Sequence, residues 1–178
     1  MTVSEGTVGR RRRWLALSAA TLVGTVSYWA VVLAFATAER EGATEPSLGA
    51  LAFGLAITPL VFVTLAAASG HPSVTVGALA GMGLFLLVAP LLALFVDPVT
   101  GMVAGFGAGA VVAMRREQVH GLRPRAVAVV IGLVAVVVGL FVFPPVAVAF
   151  GPAVPFVAVG AADGWQERRV DSAPPDRP

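Results

Sequence analysis

The chain has 178 residues, of which 57% are hydrophobic and only 12% are charged. A soluble globular chain carries roughly 25% charged residues, because it covers its surface with polar groups. The composition therefore excludes a soluble domain and predicts an all-α integral membrane protein. The chain contains no cysteine, which excludes disulfides and thiolate metal sites. We expect no cofactor.

The charge of the chain is modest, at a formal net value of +2. All twelve basic residues are arginine. This choice of residue is typical of a G+C-rich coding sequence rather than of a surface that binds nucleic acid. We therefore expect no nucleic-acid partner.

The transmembrane helices are predicted from four stretches that lack Asp, Glu, Lys and Arg: residues 14–38, 46–96, 98–114 and 126–162. A helix needs about 20 apolar residues to cross a bilayer. The polar cluster Ser69–Ser73 divides the second stretch, and prolines divide the last one somewhere within 143–152. The sequence thus predicts a bundle of six transmembrane helices, with five as the alternative. The six lie at about 14–36, 48–68, 74–96, 99–114, 126–143 and 146–162.

The arginines predict the orientation of this bundle. With six crossings, eleven of the twelve arginines lie on one side and only Arg40 lies on the other. Because cytoplasmic loops are enriched in arginine, both termini are predicted to be cytoplasmic. Residues 1–13 then form a basic N-terminus, 14–164 a single transmembrane domain and 165–178 a disordered tail, in a multi-pass protein of the plasma membrane. The arginines expected to set the topology or to contact lipid headgroups are Arg10, Arg11, Arg12, Arg13, Arg115, Arg116, Arg168 and Arg169.

Glycines at a spacing of four residues are the clearest pattern within the predicted helices. Gly101, Gly105 and Gly109 form one row, and Gly77 and Gly81 repeat the spacing one helix earlier. Residues four apart share a helix face, and glycine lets a second backbone approach closely in lipid. We predict that both rows are helix-packing faces, either within the chain or between copies.

Five other positions are candidates for a transport site or for helix kinks. Tyr28 and Thr58 place hydroxyl groups inside predicted helices, and Pro59 and Pro90 interrupt two of them. Asp97 lies between two long apolar stretches, and a carboxylate at membrane depth is commonly functional. Because Pro98 follows it, our preferred interpretation of Asp97 is a cap of the next helix.

The sequence predicts function only at the level of a class. It contains no recognisable nucleophile–base pair or metal-binding cluster, so we expect no enzymatic activity. A non-enzymatic accessory or structural bundle that acts through helix packing is the leading hypothesis, with the lipid bilayer, other copies or other membrane subunits as partners. The alternative is a subunit of a small-solute transporter or channel that works as a homo-oligomer. The mid-helix prolines favour this alternative, whereas the lack of ionisable residues in mid-helix disfavours it.

Overall fold

The computed structural model describes residues 3–42, 47–69, 73–114 and 122–171. These residues form seven α-helices and one short 3-10 turn, with no strand among them, which confirms the all-α prediction. The α-helices are α1 (Val3–Glu41), α2 (Leu48–Ser69), α3 (Val74–Phe95), α4 (Pro98–Ala113), α5 (Leu122–Val142), α6 (Pro144–Phe150) and α7 (Val154–Asp171), and the 3-10 turn is Gly151–Ala153.

The lengths of the described helices fit a bilayer. Five helical segments are long and apolar enough to cross a membrane: residues 12–41, 48–69, 74–95, 123–142 and 144–166. The remaining long helix, α4, is an apolar helix of 16 residues with a length of about 24 Å, somewhat below a hydrocarbon thickness of about 30 Å. The chain is therefore a multi-pass membrane protein, and the predicted bounds of the second to fourth helices agree with α2 to α4 within two residues.

The turn between the last two crossings lies at Phe143, the first residue of the range predicted for it. Pro144 begins α6 at a position where a missing N–H does not break a helical hydrogen bond. Further along, Pro152 and Pro155 each remove another donor, and the helix tightens into the 3-10 turn. Together α6, the turn and α7 form the sixth crossing.

The C-terminal part of α7 corrects one prediction. Residues 165–171 are helical, although the sequence analysis assigned them to a disordered tail. The run Gln-Glu-Arg-Arg contains good helix formers and neither glycine nor proline, so α7 continues past the apolar segment. Residues 172–178 lie outside the described part of the chain.

The helices pair as three antiparallel hairpins: α1 with α2, α3 with α4, and α5 with α6 and α7. Close contacts hold the two arms of each hairpin at several levels. Examples of facing positions are Ser27 and Gly54 in the first hairpin, Gly81 and Gly109 in the second, and Gly132 and Val154 in the third.

Both ends of the described chain lie at the same end of the bundle. The Trp14 ring packs beside Gly160, which places the start of the first crossing next to the end of the last one. At this end Arg125 also contacts Met114, the residue that ends α4. We call it the basic end, and we call the other end, which carries Asp97 and Phe143, the opposite end. Six crossings explain this arrangement, whereas five would separate the termini.

The centre of the bundle is filled by four phenylalanines from α2, α3, α4 and α7, each at most 3% exposed. The ring centroids of Phe85 and Phe106 are 5.0 Å apart, and those of Phe106 and Phe156 are 5.8 Å apart. The Phe62 ring lies 5.9 Å from that of Phe85. We call these residues the phenylalanine cluster. Such tilted aromatic contacts supply van der Waals packing that holds helices together in lipid.

Candidate functional site

A buried ion pair links α5 and α7 at the basic end. Arg125 is 2% exposed and Asp163 is 5% exposed. The Nε of Arg125 donates to Oδ1 of Asp163 at 2.6 Å, and its Nη2 donates to Oδ2 at 2.9 Å. This two-pronged geometry is the strong form of an arginine–carboxylate contact. The pair therefore fixes the orientation of α5 against α7.

The same guanidinium also reaches α4. Its Nη1 donates to the backbone carbonyl of Met114, at the C-cap of that helix. The last carbonyls of a helix lack intrahelical partners and carry partial negative charge, so a cation stabilises them. Arg125 thus ties three helices together, and we call Arg125, Asp163 and the Met114 carbonyl the charged junction. With three of its nitrogens bonded in this way, Arg125 is held in a structural role.

The sequence analysis did not find the charged junction. It counted Arg125 only among the eleven arginines of one side, and it ended the last predicted helix at residue 162, just before Asp163. A signal was present, because Arg125 and Asp163 are equally distant in sequence from Pro144. Residues at similar distances on the two sides of the turn lie at about the same level of an antiparallel hairpin.

The row Gly101, Gly105 and Gly109 packs against α3. A β-carbon added to Gly101 would lie 2.5 Å from the carbonyl oxygen of Ala89, and one added to Gly105 would lie 2.7 Å from the Ala89 β-carbon. Such distances are far below van der Waals contact. The row is therefore a packing face within the chain.

The shorter row of α3 forms the other side of this interface. A β-carbon on Gly81 would lie 2.9 Å from the carbonyl oxygen of Gly109, and one on Gly109 would lie 2.6 Å from the carbonyl oxygen of Gly81. The Phe62 ring fills the space beside both glycines. Gly77 is buried one turn earlier in the same helix. Gly81 thus meets the longer row inside the α3–α4 hairpin.

Hydroxyl groups connect α1 with α2. The Ser27 hydroxyl donates to the carbonyl of Gly54 at 2.5 Å, and the Thr58 hydroxyl lies 2.8 Å from the same carbonyl. The two hydroxyl oxygens are 2.6 Å apart. Thr58 is therefore part of a bonded contact between helices, as is common for hydroxyls in transmembrane bundles.

Two other buried hydroxyls have no hydrogen-bond partner within the described residues. Tyr28 is fully buried, and its ring packs edge-on against Trp29 with 5.6 Å between centroids. Thr100 is 2% exposed. The phenol oxygen of Tyr28 and the Oγ1 of Thr100 are both buried and unbonded.

Asp97 caps α4, as the preferred interpretation of the sequence predicts. Its Oδ1 accepts a hydrogen bond from the backbone N–H of Thr100 at 2.8 Å, and Pro98 occupies the first helical position. The carboxylate therefore satisfies one of the free N–H groups at the start of this short helix.

Neither of the two mid-helix prolines is buried. Pro90 is on the exposed side of α3, and Pro59 borders a surface groove between α2 and α3 of about 220 Å³. Both helices continue through their prolines. Because Pro90 is exposed whereas Tyr28 and Thr58 are buried, the five candidate transport or kink positions do not form one site.

The arginines chosen for topology are described only in part. Arg12 and Arg168 are exposed at the basic end, and Arg13 is half-buried there. Arg115 and Arg116 lie outside the described residues, as do the side chains of Arg10, Arg11 and Arg169. Contact with lipid headgroups therefore stays a prediction.

The fold and these contacts define a multi-pass helical membrane bundle with a closely packed interior and a buried ion pair between Arg125 and Asp163. Within the described ranges, no three His, Cys, Asp or Glu residues come together as metal ligands would. No protein-family model, curated protein or solved structure matches the chain.

Proposed function

We propose that this protein is a non-enzymatic accessory or structural component of the plasma membrane that acts through helix packing. The main support is the interior of the bundle. The phenylalanine cluster fills its centre, and glycine contacts bring α3 and α4 together at several levels. The bonded arginine of the charged junction serves to hold helix ends together. These features favour a rigid body over a solute pathway.

The surface proposed to contact the partners of such a bundle lies on α5. Large apolar side chains recur along one face of this helix at spacings of three and four residues. Each of them is more than half exposed: Val127, Val130, Ile131, Val134, Val138 and Phe141. A groove of about 260 Å³ runs beside this helix, between α5 and α6. The proposed partners are bilayer lipids and the helices of another copy or of other membrane subunits.

The proposed orientation places the basic end in the cytoplasm. The exposed side chains of Arg12 and Arg168 at this end support it, because arginine is enriched on the cytoplasmic side of membrane proteins. Residence in the plasma membrane is testable by fractionating cells that express a tagged chain. Recovery of the chain in another membrane would contradict this part of the proposal.

Photocrosslinking in native membranes tests the packing function. A photoreactive amino acid at Val134 of α5 probes the proposed partner face, and one at Leu87 of α3, which is 67% exposed, is the matched control. We expect a discrete protein adduct from position 134 and none from position 87. If neither position forms an adduct with a protein, the accessory function is contradicted.

A transporter or channel subunit is the second candidate, and one observation favours it. The unbonded hydroxyls of Tyr28 and Thr100 leave polar atoms inside the bundle, as a solute site would require. Osmotic shrinkage of liposomes that contain the purified protein distinguishes the candidates. If the protein acts through packing, liposomes that contain it should be no more permeable to small neutral solutes and ions than empty liposomes are. Added permeability that is lost in Tyr28→Phe would instead support transport.

A further inference from the structure

The turn that joins α5 to α6 carries an unbroken run of exposed apolar side chains. All six residues at 141–146 are exposed, in the order Phe-Val-Phe-Pro-Pro-Val. Phe141 is 86% exposed and Phe143 is 67% exposed. On the side of a packed helix, exposed residues recur every three or four positions, because one face lies against its neighbours. Six in succession show that this segment, which we call the apolar tip, projects from the surface of the bundle.

The backbone of this turn leaves none of its N–H groups free between residues 143 and 147. The N–H of Phe143 donates to the carbonyl of Gly139 at 2.7 Å. The N–H groups of Val146 and Ala147 both donate to the carbonyl of Phe143 at 3.1 Å. The two residues in between are prolines, which have no N–H. The first turn of a helix ordinarily relies on side chains or water to satisfy its N–H groups. This turn satisfies its donors without either.

The length of α5 brings the apolar tip to the far edge of the hydrocarbon. Arg123 is exposed at the basic end, and an exposed arginine of a membrane helix extends its guanidinium to the headgroups. Phe143 lies about 30 Å further along the helix axis, which matches the hydrocarbon thickness of about 30 Å. Because length places the tip at this boundary, its chemistry decides on which side of the boundary the phenyl rings lie.

The end of α1 shows what a segment that enters water contains at the opposite end. Its residues 39–41 are Glu-Arg-Glu, and all three are exposed. Between α5 and α7, in contrast, residues 126–162 include no Asp, Glu, Lys or Arg. The carbonyls of Leu140 and Phe141 cannot receive the usual helical hydrogen bond, because Pro144 and Pro145 follow four residues later. These acceptors keep the turn at the polar edge of the hydrocarbon rather than at its midplane.

We propose that the apolar tip is a membrane anchor whose phenyl rings insert among the acyl chains of the leaflet at the opposite end. Hydrocarbon offers no hydrogen bonds, so it suits a turn whose N–H groups are already satisfied. Acyl chains also surround a projecting segment on several sides, whereas a partner helix covers one side. This inference goes beyond the packing function, because it fixes the depth of the third hairpin in the bilayer. The tip then offers no surface to a water-soluble partner.

Spin labelling of the purified chain in reconstituted bilayers tests the anchor, and the absence of native cysteine makes single labels straightforward. Nitroxides at Phe141→Cys and Phe143→Cys are compared with two references. Glu41→Cys lies in the charged end of α1, and Leu87→Cys replaces a side chain of α3 that is 67% exposed. Collisions with oxygen, which concentrates in lipid, and with a water-soluble nickel chelate report the surroundings of each label. We expect both tip labels to match Leu87→Cys, with high oxygen and low nickel accessibility, and Glu41→Cys to show the reverse.

Two results would overturn the anchor. Nickel accessibility at positions 141 and 143 as high as at position 41 would place the apolar tip in water. Low accessibility to both reagents would mean that protein covers the tip, as a second copy of the chain would, instead of lipid. All four labelled positions are exposed, so the substitutions remove no buried side chain and the comparison does not depend on a weakened fold.

Discussion

Gly105 offers the sharpest test of how this bundle is packed. A β-carbon at this position would lie 2.7 Å from the β-carbon of Ala89 and 3.0 Å from Cδ2 of Phe85. Two carbons in van der Waals contact are about 3.5–4.0 Å apart. Even alanine at position 105 therefore forces α4 to move away from α3. Gly83 provides the matched control, because an added β-carbon there has no neighbour within 4 Å.

The expected loss of stability follows from comparing positions 105 and 83. Replacing glycine by alanine inside a helix gains about 1 kcal/mol of helix propensity at either site. This gain cancels when Gly105→Ala is compared with Gly83→Ala, and the difference leaves the cost of the overlap. Overpacking of a tight core costs about 1–3 kcal/mol. For a chain of this size the difference corresponds to about 2 °C to about 12 °C in Tm.

Thermal unfolding of the four purified variants Gly105→Ala, Gly83→Ala, Gly105→Leu and Gly83→Leu measures this difference. We expect both changes at position 105 to lower Tm relative to the same changes at position 83, and leucine to have the larger effect. Leucine at position 83 would face lipid and should be tolerated. Equal Tm values at the two positions would refute the assignment of the glycine row to the α3–α4 interface.

Two further predictions concern contacts between hairpin arms. Arg125→Met leaves Asp163 buried without a partner and should cost about 3–5 kcal/mol, whereas Arg125→Met combined with Asp163→Leu should recover much of that loss. A single variant as stable as the wild type in thermal unfolding would contradict the charged junction. Thr58→Val removes the hydroxyl contact with Ser27 and should cost about 0.5–1.5 kcal/mol. Thr64→Val should cost almost nothing in the same assay, and an equal loss from both threonine variants would count against the α1–α2 contact.

The bounds of the crossings were predictable because charges and turn residues mark them. Helix α2 was predicted at 48–68 and ends one residue later, where the Ser69–Ser73 cluster interrupts the apolar sequence. The end of α5 was left within a range, because Pro144, Pro145 and Pro152 each allow a break. These prolines allow a turn at several positions, and the packing of α5 against α6 and α7 selects one of them.

Contacts between distant residues were predictable only in part. The spacing of Gly101, Gly105 and Gly109 shows that they share a face, but a spacing does not say which helix covers it. The charged junction depends on the turn at Phe143, since moving that turn would place Asp163 opposite another residue. These features follow from the three-dimensional arrangement of the hairpins.

Cysteine labelling in living cells tests the six-crossing bundle most directly, because the chain contains no native cysteine. Single cysteines at Arg12 and Arg168, both exposed at the basic end, and at Gly42, after the end of α1, report the two faces of the membrane. The account predicts that a membrane-impermeant maleimide labels only position 42 in intact cells, and all three positions after permeabilisation. Labelling of position 168 together with position 42 in intact cells would remove the sixth crossing and contradict the account.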